Sequence, residues 1–361
     1  MIGSGTSMKQ PRRSSVVGAF AAGVLLFACS SSRTPLEAPE PLVQPDAAAD
    51  PQAECAEAFA EAKRAPVDLI VSIDQSTSMV HEIGSLHANI NLLPSLLAES
   101  GLDYRVVMVA ARETPYPGYG VCVPPPLGGP DCGSNGTAYR AVDQLVMSND
   151  TLMLLLTTLS SADPRLSFRD FLRPEAIKVF IPITDDESSL SGASFDLELL
   201  GRRGGSLFGT AEARRYMFFP VIGSLDYPST AQCATSFAAG NEYQYLASLT
   251  NGKWFSVCQP SLEPILQAIG ESVAKTLVCE VDIPEPPAGS TLDLTKINVR
   301  VTPENGSEIV VPQDRTRPCE EGADGWQFSS DKKKIVLCGS SCTAAKRSTI
   351  SVGFGCTTIV R

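Results

Sequence analysis

Histidine is almost missing from this chain: His81 and His87 are the only two in 361 residues. That argues against a histidine-based catalytic triad and against a histidine-rich zinc site. Positive charge is also in deficit. Lys and Arg number 29 against 40 Asp and Glu, which leaves a net charge of −11. A protein that tracks nucleic-acid phosphates needs a basic face, so nucleic acid is not expected as a partner. The apolar run from Val16 to Ala28 falls short of the roughly 20 residues that cross a bilayer. No internal repeat is evident. A hydrophobic share of 43% and a charged share of 19% are nevertheless ordinary for a folded protein.

Cysteine, by contrast, is plentiful. Eleven point to an oxidising compartment. The first 29 residues hold no acid, and Lys9, Arg12 and Arg13 precede the short apolar run, as in a secretory signal peptide. The run ends Leu26-Phe27-Ala28-Cys29, which resembles a bacterial lipobox. That resemblance implies lipidation at Cys29 and an outer-membrane, lipid-anchored protein. It also leaves ten cysteines, an even number able to pair fully. Residues 30–54 follow with five prolines, no aromatic residue, one base and five acids. Such a stretch cannot bury enough apolar surface to fold and reads as a tether.

From residue 55 to 279, short β-branched runs alternate with helical ones, the pattern of an α/β fold with a doubly wound, Rossmann-like, mostly parallel sheet. Strands are expected at Val67–Ile73, Tyr104–Ala110, Lys178–Ile183, Met217–Ile222 and Trp254–Val257. Ile83, Leu86, Ile90, Leu93 and Leu97 repeat at helical spacing, with Pro94 placed to kink that helix. A final helix is expected over Leu262–Thr276. Residues 280–361 turn rich in Pro, Val, Ile and Thr, with close cysteines and ten bases against eleven acids. They read as a small disulfide-rich β domain, sandwich-like, with Trp326 in its core.

The strand Val67–Ile73 runs straight into Asp74-Gln75-Ser76-Thr77-Ser78. Asp and Ser are hard oxygen ligands, suited to Mg²⁺ first, with Mn²⁺ or Ca²⁺ as alternatives. This Asp-x-Ser-x-Ser pattern resembles the metal-ion-dependent adhesion site of the von Willebrand factor type A family. Thr184-Asp185-Asp186-Glu187, after the strand Lys178–Ile183, resembles the family's strand-Thr-Asp-Gly segment, with Asp186 where glycine is usual. The resemblance covers residues 55–279. It implies an ion held directly by Ser76 and Ser78, with Asp74 and Asp185 acting largely through water; Asp74 is expected on a solvent-facing loop. It implies a protein partner whose carboxylate completes the coordination, and it implies binding rather than catalysis. A further hydroxyl is expected from Ser148, which could also cap a helix, or from Thr151 or Thr137.

Two other readings compete. The same residues loosely resemble the first and last motifs of haloacid-dehalogenase-type phosphatases, but Ser76 stands where those enzymes need an acid/base aspartate. An inert type A domain in a structural lipoprotein is the other. The family fold brings the ends of the domain together, which implies a Cys55–Cys279 bridge. Cys122–Cys132 and Cys233–Cys258 are the next expected pairs. Cys319, Cys338, Cys342 and Cys356 allow three pairings that sequence leaves open.

Overall fold

The computed structural model describes residues 57–203, 205–224, 236–304 and 306–361. The expected signal peptide, Cys29, the tether over residues 30–54, Cys55 and Cys233 lie outside the described residues. In chain order the first elements are β1 (Ala58–Ala62), β2 (Val67–Ile73), α1 (Val80–Asn89), α2 (Leu92–Glu99), β3 (Tyr104–Val109), β4 (Tyr139–Val142) and α3 (Thr151–Leu159). Then come β5 (Ile177–Thr184), α4 (Gly192–Glu198), β6 (Tyr216–Phe218), β7 (Val221–Ile222), α5 (Asn241–Leu249), β8 (Phe255–Ser256) and α6 (Glu263–Cys279). The remainder is β9 (Glu280–Asp282), β10 (Ile297–Pro303), β11 (Ile309–Val311), β12 (Gly325–Phe328), β13 (Lys334–Cys338), α7 (Gly339–Ala345) and β14 (Ser348–Phe354).

Seven strands form one parallel sheet in the order β4-β3-β2-β5-β7-β8, with β6 also on β5. Counted within the sheet, with β6 and β7 as one broken strand, that is the 3-2-1-4-5-6 order of a doubly wound fold. Every residue of β2 is buried, as a central strand covered on both faces requires. Leu69, Val71 and Ile73 pack with Ile83, Leu86, Leu93 and Ile269 of α1, α2 and α6. Ile70 points the other way, into Leu152, Phe195 and Leu246 of α3, α4 and α5.

Two expected elements are split, and a proline accounts for each break. The helix expected to kink at Pro94 is two helices, and Pro94 is the third residue of α2, where a missing N–H leaves no internal bond unmade. The strand expected over Met217–Ile222 is β6 and β7, parted at Phe219-Pro220 because Pro220 has no N–H for the ladder.

The C-terminal part has two antiparallel sheets, β1-β14-β10-β11 and β12-β13-β9. Trp326 is fully buried there, as expected. Strand β1 was assigned by sequence to the region 55–279, yet it pairs with β14 from Ala58↔Phe354 to Ala62↔Ile350. The expected Cys55–Cys279 clasp does not form. Cys279 bonds Cys342 instead, with Cα atoms 5.0 Å apart. Cys279 is the last residue of α6, which runs directly into β9 and so meets α7 rather than the first strand. Cys122–Cys132 and Cys319–Cys338 are bridged, and Cys258 and Cys356 are each disulfide-bonded. Among the described residues, no helix is long and apolar enough to cross a membrane.

Candidate functional site

The chain leaves β2 toward β3 and β4 on one side and later builds β5, β7 and β8 on the other. The carboxyl ends of β2 and β5 therefore part around a crevice, where open α/β sheets place ligands. Asp74 follows β2 and Asp185 follows β5. The two turns are joined: Asp74 N donates to Ile183 O at 2.9 Å and Gln75 N to Val146 O at 2.8 Å.

Asp74 is not on a solvent-facing loop, as expected from sequence, but fully buried. Both its oxygens are in use. Oδ1 accepts Ser76 N at 2.7 Å and Ser148 N at 2.9 Å, and Oδ2 accepts Thr184 Oγ1 at 3.0 Å. Burial raises its pKa above the ordinary carboxylate range, and these donors oppose the rise. Asp74 thus acts as the knot that ties three loops together.

Asp185 is the contrasting acid. It is 1% exposed, and its Oδ2 is buried with no hydrogen-bond partner among the described residues. Burial pushes its pKa up to about 6; the Ser78 hydroxyl holds it back, and the Asp74 and Asp186 carboxylates push it further. Ser76 Oγ and Ser78 Oγ lie 3.1 Å apart at the start of the turn that opens α1. Two hydroxyls and an under-partnered carboxylate oxygen thus gather between the two strand ends. An orphaned, buried, hard oxygen is what a site for a hard divalent cation would offer, so the residues fit such an ion. Among the described residues, no group of three or more His, Cys, Asp or Glu stands ready to hold a metal. The candidate set relies on hydroxyls instead.

The three candidates for a further hydroxyl separate clearly. Ser148 reaches the site through its backbone, donating N–H to Asp74 Oδ1 and accepting Thr184 Oγ1 at its carbonyl (3.2 Å). It does not cap α3: the N-cap position belongs to Asp150, whose carboxylate accepts Met147 N at 2.8 Å. Thr151, in the first turn of α3, is fully buried, and its Oγ1 lies by the Tyr243 hydroxyl with no well-formed hydrogen bond among the described residues. Thr137 precedes β4 in a parallel sheet and therefore sits at the opposite, amino edge.

Three contributors escaped the sequence reading. Thr184 Oγ1 also accepts Asp186 N at 3.2 Å, so it links both acidic turns. Glu187 caps α5. Its Oε2 accepts Asn241 N at 2.6 Å and its Oε1 accepts Glu242 N at 3.2 Å. Glu242 in turn accepts Gly192 N at 2.7 Å at the start of α4. Gln75 is fully buried and hydrogen-bonded to the neighbouring loop. The only hint in sequence was a long amide wedged between a buried strand and small hydroxyl residues. His81 is exposed, and His87 Nε2 accepts Cys122 N at 3.0 Å, a structural role. No protein-family model matches this chain, and no curated protein matches it.

Proposed function

We infer that this chain is a lipid-anchored binding protein of the von Willebrand factor type A kind, which captures a protein partner through a divalent ion. The observation that carries the reading is the buried Oδ2 of Asp185, unpartnered among the described residues, beside the Ser76 and Ser78 hydroxyls. Asp185, Ser76 and Ser78 would hold the ion, and Asp74 would keep those groups in place. Thr151 is the better-supported further ligand, because its buried hydroxyl neighbours the Tyr243 hydroxyl and no acid of the site draws on it. Mg²⁺ is favoured by the all-oxygen set, with Mn²⁺ or Ca²⁺ as alternatives. When bound, the ion would supply a partly uncompensated positive position that a partner carboxylate can occupy.

The chain's own residues account for the rest. Thr184 and the Ser148 amide restrain Asp74, and the crevice offers one open side to solvent through exposed Ser78. Calorimetric titration of the full chain with Mg²⁺ and Mn²⁺, with Asp185→Asn alongside, tests this reading. Heat from the wild type and none from Asp185→Asn is the expected result. The anchoring is tested separately: Cys29→Ser should move the protein from the membrane fraction to the soluble one.

A further inference from the structure

The segment of residues 111–132 is proline-rich, stapled by Cys122–Cys132, and without regular strand or long helix. It is nonetheless firmly docked. Val121, Val123 and Leu127 are buried. Arg112 ties its start to Asp143 and Asn135 bonds Pro126 O and Leu127 O, but a further set of polar anchors falls within a short stretch of chain, residues 75–91. Gln75 Nε2 donates to Ala111 O at 2.8 Å and Tyr119 O at 2.7 Å, while Gln75 Oε1 accepts Ala111 N at 2.7 Å. Tyr119 OH donates to Thr77 O at 3.1 Å. His87 accepts Cys122 N, and Asn91 bonds Pro125 O at 3.1 Å and Leu127 N at 3.2 Å.

Gln75 and Thr77 are the two spacer residues of Asp74-x-Ser76-x-Ser78. The serine hydroxyls lie 3.1 Å apart while the spacers between them are clamped to the stapled loop. Gln75 uses both amide protons and its carbonyl in that clamp, so its backbone has little freedom, and neither do the flanking hydroxyls. We propose that Gln75 is a positioning residue for the candidate ion site, and that ion binding and docking of the stapled loop form one coupled equilibrium. This rests on the ion-binding reading above. It adds a means of regulation: whatever loosens the loop loosens the site, and by reciprocity an ion tightens the loop.

The test uses the full chain, Mn²⁺ as the probe, calorimetry for affinity and hydrogen exchange at the Cys122 amide for loop docking. In the wild type, Mn²⁺ should slow exchange at Cys122, a residue that is no ligand. Gln75→Met, close in shape but without the three hydrogen bonds, should weaken Mn²⁺ binding roughly ten-fold and abolish that protection. Tyr119→Phe removes only the Thr77 contact; it should weaken binding about three-fold, within the usual net worth of one hydrogen bond. Should Gln75→Met fail to fold, Tyr119→Phe decides the matter, and wild-type affinity with wild-type Cys122 exchange overturns the proposal. Equal affinity in folded Gln75→Met overturns it while leaving the ion site standing. No Mn²⁺ uptake by the wild type overturns the ion reading and this coupling together.

Discussion

The two edges of the parallel sheet each bury acids, but they treat them differently. At the amino edge, Asp68 is fully buried and meets Arg173 through Nε at 2.9 Å and the backbone N at 2.7 Å. Arg173 also reaches Asp103 at 2.6 Å and Val67 O at 2.9 Å. Lys178, opposite Asp68 in the sheet, donates to Arg173 O and Ala176 O at 2.6 and 2.8 Å. Charge there is met by charge. At the carboxyl edge, the donors to Asp74 are hydroxyls and amides, Asp185 faces the Asp74 and Asp186 carboxylates, and among the described residues Asp185 Oδ2 has no hydrogen-bond partner. The fold thus supplies opposite charge to one set of buried acids and not to the other, and the proposed ion site rests on that difference.

The largest test of that contrast is at the balanced edge. Arg173→Ala strands a buried Asp68 carboxylate and should cost about 3–5 kcal/mol in urea unfolding. Asp185→Asn works in the opposite direction. A folded pKa of about 6 lies above the ordinary 3.8, so above pH 6 the charged carboxylate burdens the ion-free fold. Two pKa units correspond to about 3 kcal/mol at most, and Asp185→Asn should recover part of this at pH 8. As pH falls from 6 toward 4, the wild type takes up the proton in the folded state, gains relative stability and closes the gap to the variant. Thermal denaturation of both proteins across pH 4–8 reads this; a constant gap would refute it.

Lys178 should produce a pH effect of the other sign. Burial lowers its pKa to about 8 from 10.5, so the unfolded chain binds the proton more strongly between those values. The Lys178 contribution to stability should therefore rise from pH 8 to 10.5, measured as the difference from Lys178→Met in urea midpoints. Glu187→Ala removes the cap of α5 and should cost about 1 kcal/mol with no change in ion affinity. Ser148→Ala should be the smallest change, within about 0.5 kcal/mol, because its backbone does the bonding. A large loss of ion affinity in Ser148→Ala would restore it as a ligand over Thr151.

The contrast also explains what was legible in sequence. Strand β2 and the turn after it stood out because a central strand is apolar at every position and its carboxyl end must change character abruptly. Asp185 was legible for the same reason at the end of β5. The amino-edge cluster was not, since Asp68 and Lys178 sit inside apolar strands and interrupt their pattern without announcing a partner. Nor was Thr184 as a linker, because its role depends on three loops meeting. Disulfide pairing failed where it depended on direction: Cys279 closes a helix that continues into β9, and only the course of that helix puts it beside Cys342. Strand β1 was missed because Ala58-Phe59-Ala60-Glu61-Ala62 lacks β-branched residues, and its pairing partner lies some 290 residues later.

That pairing has a mechanical consequence. A pull applied to β1 along its axis is taken up at Ala58–Ala62, while a load at the crevice enters at the carboxyl ends of β2 and β5. Between the two stand the five-residue β1–β14 ladder and the short link of residues 63–66. Axial pulling on β1 shears the ladder, so its hydrogen bonds resist together rather than one at a time. Under such a pull the β1–β14 ladder must give way before β2, whose end carries the candidate site, is drawn out.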